Sequence, residues 1–178
     1  LRVGASMSRI HARVETGSPL LPSVRETTAG LRAAIFIDQT DNAWFARSGY
    51  GLVGTAYAAM DSLGSNESYN RVEATGRVVQ SWGPHTLNLA VSGGSSLNSD
   101  MPAYESFSLG GPLHLSAYRI NELAGRRFTF GRLMYYNRTL PLPDLLGSGV
   151  YVGGSAEVGR MSDRSDGLPS SGTVWSGS

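Results

Sequence analysis

The chain has 178 residues, 23 of them glycine and none cysteine, with 16% charged residues and a net charge of +1 at pH 7. These figures suit one domain of short strands and turns, exclude a disulfide framework and a thiolate metal site, and give no electrostatic case for a nucleic-acid partner. No apolar run approaches the roughly 20 residues of a spanning helix, and the start, LRVGASMS, lacks the charged-then-apolar order of a signal peptide. Insertion as a β-barrel is left open by both observations.

In chain order, the segments repeat with a period of two. Arg2 to Thr16 alternates with a phase slip near Ser8 and Arg9, where Leu1, Val3, Ala5 and Met7 give way to Ile10, Ala12 and Val14, so a bulge is expected there. In TTAGLRAAIFID, Ala29, Leu31, Ala33, Ile35 and Ile37 share one face, with Thr28, Arg32 and Asp38 on the other. Tyr50 to Ala59 is small and apolar on both faces. In YNRVEATGRVVQSW, Val72, Ala74, Gly76, Val78 and Trp82 oppose Arg71, Glu73, Thr75, Arg77 and Ser81. Leu87, Leu89 and Val91 oppose Thr86, Asn88 and Ser92. Between Arg127 and Arg138 the apolar set is Phe128, Phe130, Met134 and Tyr136, but it also contains Arg132. Val150, Val152, Ala156 and Val158 oppose Tyr151, Gly153, Ser155 and Glu157, and a last strand begins at Thr173. No stretch has a helical period, so the expected fold is all-β, with seven or eight antiparallel strands.

Long and short connections nearly take turns. SWGPH is tight, DQTDNAWFARSG is compact and TLPLPDLLGSG is intermediate, whereas GSPLLPSVRE, DSLGSNES, a loop over about 96–126 and MSDRSDGLPSSG are longer or more polar. Short turns on one side and long loops on the other are the pattern of an outer-membrane barrel. A soluble β-sandwich binding module carries the same strand alternation. Two features favour the barrel. The apolar faces are rich in Ala, Val, Leu and Gly, with Trp82, Phe128 and Tyr136 nearer strand ends as a girdle would place them, and strands of about ten residues suit a tilted bilayer crossing. A small closed porin-like channel is a third possibility, because eight strands can close. Against it, GTVWSGS stops inside a strand rather than on a terminal aromatic.

Enzyme chemistry is absent from the pattern. GGSSL and GGSAE each lack the last glycine of a Gly-x-Ser-x-Gly elbow, and Asp166 of DGL lies in a polar stretch with nothing to activate. His11, His85 and His114 have no metal-ligand spacing, so no catalytic residue, metal or cofactor is expected. Glu73 and Glu157 alternate with arginine on inward faces, where pairing with lumenal charges such as Arg32, Arg71 and Arg77 outranks acid–base catalysis.

LGGPLHLSAYRINELAG, from Leu109 to Gly125, resembles the long sixth extracellular loop of the BamA-type outer-membrane superfamily, the bacterial surface antigens, in which a Gly-Gly pair precedes a Val-Arg-Gly-Tyr or Phe element. DQTDNAWFARSGYGL resembles the same family's strand-turn-strand signature: Asp41, Asn42, Phe45 and Gly49 match, while Ala46 stands where proline is usual. Gly110, Gly111 and Tyr118 match the loop element, but Ser116 takes the place of its arginine, and Arg119 lies close enough to substitute.

The resemblance spans about Leu31 to Gly159 and implies a transmembrane barrel in the outer membrane of a Gram-negative bacterium, with residues 1–178 forming part of a sixteen-stranded whole. Loss of the arginine is similar to the barrels of patatin-like phospholipase autotransporters. That branch implies a role in anchoring, translocating or assembling an upstream passenger. Its partners are outer-membrane lipid, the chain's own passenger and linker domains, and the barrel-assembly machinery, with any lipase activity in the passenger. The resemblance also implies that the loop folds inward as a plug, where Arg119, Arg126 and Arg127 could meet lumenal acids.

Overall fold

The computed structural model describes residues 2–12, 24–42, 46–97, 101–142, 149–164 and 172–178. Among the described residues nine strands form one antiparallel sheet: β1 (Arg2–Ala12), β2 (Val24–Asp38), β3 (Gly49–Ala59), β4 (Asn70–Trp82), β5 (His85–Ser96), β6 (Phe107–Leu109), β7 (Leu123–Pro141), β8 (Gly149–Arg164) and β9 (Val174–Gly177). The long strands pair in chain order from β1 to β9. The three-residue β6 lies beyond the end of β5 and pairs with the start of β7, Phe107 opposite Gly125. Helix is confined to 3-10 turns at Asp61–Leu63 and Ala103–Glu105 among the described residues. One continuous sheet differs from the two packed sheets of a sandwich. β1 and β9 are not paired with each other, so these strands form part of a barrel and not a closed one.

Register assigns the faces. Leu89 sits opposite both Val78 and Leu133, and Leu133 opposite Ala156, so the apolar sides of β4, β5, β7 and β8 make one surface. Val3, Leu31, Ile35, Leu52, Val78, Val91 and Val152 on that outward surface are all exposed. So much exposed apolar area is what a lipid-facing sheet presents. β7 runs for 19 residues and β8 for 16, longer than the 9 to 11 of a tilted crossing, so both project beyond a bilayer.

Two expectations are corrected here. The large apolar residues of β7 that face outward are Leu133 and Tyr135; Phe128, Phe130, Met134 and Tyr136 point inward with Arg132, opposite the inward Gly94, Ser92, Asn88, Thr86 and Ala90. Phe128 and Tyr136 are therefore not girdle residues. Tyr135 takes that part with Trp82, the two rings lying on either side of His85 at centroid distances of 6.0 and 6.3 Å. The bulge expected near Ser8 is also missing: β1 and β2 stay in register from Arg2 opposite Ala34 to Ala12 opposite Val24. The shift falls instead between Arg138 and Leu140, just before Pro141.

The turn from Trp82 to His85 is a two-residue hairpin whose first residue, Gly83, has φ 59°. That left-handed start matches the twist of the flanking strands and favours glycine. It lies at the end of the sheet with the compact connections, whereas the connection from Leu97 to Glu122 leaves from the other end.

Candidate functional site

The connection between β5 and β7 packs on the inward face, and its interior is apolar. Leu115, 0% exposed, joins Leu109, Leu123, Phe130 and Met161 in one cluster, with Tyr118, Phe128 and Val174 against it. Met101 and Phe107 extend the buried surface to Ala59 and Tyr69. The aromatic side of β7 faces inward because this loop covers it.

Glycine makes the fold of the loop possible. Gly110 has φ 125° and Gly111 φ 109°, and a Cβ on Gly110 would run into the carbonyl oxygen of Arg119. The Gly110 N–H donates to His114 O at 2.9 Å and the Gly111 N–H to Tyr118 O at 3.1 Å, which closes the loop on itself. Leu113 at φ 60° and Leu115 at φ 74° adopt the left-handed conformation without being glycine. That costs of order 1 to 3 kcal/mol at each and persists only where packing holds it. For Leu115, packing supplies the hold: its Cδ1 lies where a Cβ on Gly159 would be 2.8 Å away, so β8 needs glycine at this point.

Ser116 and Glu157 join loop to wall. The Ser116 N–H donates to Glu157 Oε2 at 2.7 Å, and its hydroxyl lies 3.0 and 3.2 Å from the two carboxylate oxygens. Ser155 Oγ donates to Oε1 at 3.2 Å and Ser176 Oγ to Oε2 at 2.7 Å. Glu157 is 1% exposed. Several neutral donors thus hold a buried carboxylate, replacing the water it has lost. Arg132, its cross-strand partner, donates from Nη1 to Leu113 O at 3.0 Å. Arg119 faces solvent, and its main-chain N–H donates to Glu122 Oε2 at 2.7 Å. Ser116, not Arg119, reaches Glu157.

The remaining charges pair along the inward face. Arg71 lies 2.9 Å from Glu73 and 3.4 Å from Glu105 of the loop, with its guanidinium 4.3 Å from the Phe107 ring centre. Arg77 pairs with Asp38 at 3.0 Å, and Arg32 lies over Tyr57 at 5.7 Å. Arg127 is the exception: its register puts it on the outward side of β7, where it pairs with Asp163 at 3.5 Å, away from Glu73 and Glu157.

The β2–β3 turn also folds inward. Asp41 Oδ1 accepts from the N–H groups of Arg47, at 2.7 Å, and Ser48, at 3.2 Å. Burial raises the Asp41 pKa, and these main-chain donors outweigh it, leaving the carboxyl below its usual range. Gly49 has φ 117°, and its place against Gln39 leaves no room for a Cβ. Ala46 is buried and its carbonyl accepts from the Tyr136 hydroxyl; Ser81 Oγ donates to Arg47 O at 2.6 Å. Asn42 is exposed, while Phe45 lies outside the described residues, as does Asp166. No group of three or more His, Cys, Asp or Glu side chains that could hold a metal occurs among the described residues.

Two motifs from distant parts of the chain thus converge on the inward face of one lipid-type sheet. The sequence matches the Omp85 superfamily domain over residues 5–163. The chain belongs to the Omp85 superfamily. The BamA-type resemblance of the two motifs falls within it. Omp85 proteins are Gram-negative outer-membrane proteins involved in assembly or secretion, and the Omp85 domain itself is non-enzymatic. No curated protein matches the chain.

Within this Omp85 sheet the pattern of residues carries part of the site. Ser155 shares the inward face with Glu157 by alternation, a signal legible in sequence. Ser176 and Glu105 carry none, because β9 register and loop packing bring them to Glu157 and Arg71.

Proposed function

We propose that this chain is the outer-membrane barrel part of a secretion protein, which anchors an upstream passenger and helps translocate or assemble it. The passenger that fits is a patatin-like lipase domain of the autotransporter type, joined by a linker domain and inserted with the barrel-assembly machinery. The carrying observation is a lock whose loop side is uncharged: Ser116, at the place of the family's arginine, meets the Glu157 carboxylate through its N–H and hydroxyl. Breaking a buried ion pair by removing one partner costs about 3 to 5 kcal/mol, whereas a hydrogen bond to a charged group contributes about 1.5 to 3 kcal/mol. A loop held by hydrogen bonds is thus released more easily, which suits a lumen that opens for a passing chain. In this reading any hydrolysis belongs to the passenger, and Glu157 serves to hold the loop through Ser116, Ser155 and Ser176.

Carbonate extraction of the full-length protein should leave it in the outer-membrane pellet, with the passenger cleaved by protease added to intact cells. Recovery as a soluble monomer without detergent overturns the barrel. A membrane-bound protein whose upstream domain resists external protease before and after lysis overturns the passenger.

A further inference from the structure

The outward surface changes chemistry toward the end that carries the long connections. On β5, Leu89 and Val91 give way to Gly93 and Ser95; on β7, Leu133 gives way to Thr129 and Arg127; on β8, Val158 gives way to Arg160 and Ser162. Among the described strand side chains, Arg127 and Arg160 are the only charges that alternation and register put on the outward face. An arginine facing lipid costs about 2 to 4 kcal/mol at the bilayer midplane and about 0 to 1 near the interface. Two of them just past the apolar band mark the headgroup level.

The pair is also well placed for one ligand. Register sets Thr129 opposite Arg160 and Arg127 opposite Ser162, so the two arginines are diagonal neighbours on adjacent strands, within reach of each other's partner. Beside them lies a groove of about 600 Å³ whose floor is kept low by Ala74, Gly93 and Thr129. Asp163 occupies the Nε edge of Arg127 at 3.5 Å. Glu73, at the groove's far side, is engaged by Arg71 at 2.9 Å. Arg160 is exposed and makes no ion pair among the described residues. The local balance is therefore cationic, with hydroxyls from Thr129 and Ser162 beside it.

We infer that this groove binds the phosphate of an outer-leaflet glycolipid, its guanidinium groups clasping the phosphate while the acyl chains lie along Val91, Gly131 and Val158. Arginine suits phosphate through paired N–H donors. A lipid-borne phosphate fits better than a free one because the groove opens directly onto the apolar band. The inference rests on the outer-membrane barrel proposed above, with the long connections on the outer side.

The test uses the full chain in a nonionic detergent and a fluorescent diphosphoryl lipid A as the probe. Dephosphorylated lipid A should bind about tenfold more weakly, and Arg160→Gln or Arg127→Gln should each lower affinity for the diphosphoryl form several-fold, up to about tenfold. Inorganic phosphate at millimolar concentration should not displace the probe. Equal binding of the dephosphorylated lipid, unchanged affinity in Arg160→Gln, or displacement by inorganic phosphate each overturns the lipid site while leaving the barrel intact. Heat-modifiable gel mobility checks that the variants fold, and the dephosphorylated-lipid arm needs no variant. Absence of the protein from the outer-membrane pellet overturns the outer-membrane barrel itself.

Discussion

The main-chain N–H of Ser116 and the carboxylate of Glu157 are 41 positions apart in the chain and 2.7 Å apart in space. Glu157→Ala removes the acceptor for Ser116, Ser155 and Ser176 together, and unpaired buried donors cost about 1 to 3 kcal/mol. Hydrogen exchange across residues 110–122 should speed markedly in Glu157→Ala, and less in Ser116→Ala, which keeps its N–H. Equal protection in wild type and Glu157→Ala would show that the apolar cluster alone holds the loop.

Glycine at two places is a steric requirement. Gly110→Ala would drive a methyl into Arg119 O, and Gly159→Ala would place one 2.8 Å from Leu115 Cδ1. Each should destabilise the docked loop by about 1 to 3 kcal/mol, while Gly76→Ala, with nothing within 4 Å, should be near neutral. Urea titrations of the vesicle-inserted protein, read by exchange of the loop, distinguish the three.

The two faces of the sheet should respond differently to charge. Leu89→Arg or Ala33→Arg on the outward face should cost about 2 to 4 kcal/mol, and Thr75→Arg on the inward face much less. Thr75 loses only its 3.0 Å contact with Ser92 Oγ. Equal penalties in equilibrium refolding would mean that the faces are reversed.

Acid should loosen the loop through His114. Its ring packs edge-on against Phe130 at 4.6 Å. Burial depresses its pKa, Arg132 adds to the effect, and Glu157 opposes it. The docked loop therefore binds fewer protons than the released one, so docking is fully favoured above about pH 6.5 and weakens as pH falls below it. Exchange at residues 110–122, corrected for intrinsic rates, should rise between about pH 7 and pH 5 in wild type, and His114→Gln should flatten the rise.

Alternation alone located β4, β5 and β8 and their faces, because Val72, Leu87 and Val152 face lipid and their neighbours do not. It failed on β7. The rule that apolar side chains point outward holds only where the inward side is wet, and Phe128, Phe130 and Tyr136 are kept dry by the loop and the β2–β3 turn. Arg132 among them was the sign that this face points inward. The three-residue β6 has too short a pattern to register, and its partner Gly125 lies beyond a run of turns that includes the left-handed Leu113, Leu115 and Asn121. Motif resemblance marked Ser116 as the residue standing in the arginine's place, whereas its contact with Glu157 depends on a chain reversal that no local pattern encodes.

Glu157 receives donors from three directions: Ser116 in the loop, Ser155 on its own strand and Ser176 on β9. A loop that settles before β9 has paired with β8 finds Oε2 without the Ser176 hydroxyl donor. The carboxylate thereby acts as a counter of finished pairings, giving the closed loop its full strength only after the strand beyond β8 has zipped into place. An assembling sheet with an unfinished edge would keep a looser interior, and completion of the edge would be felt at the loop.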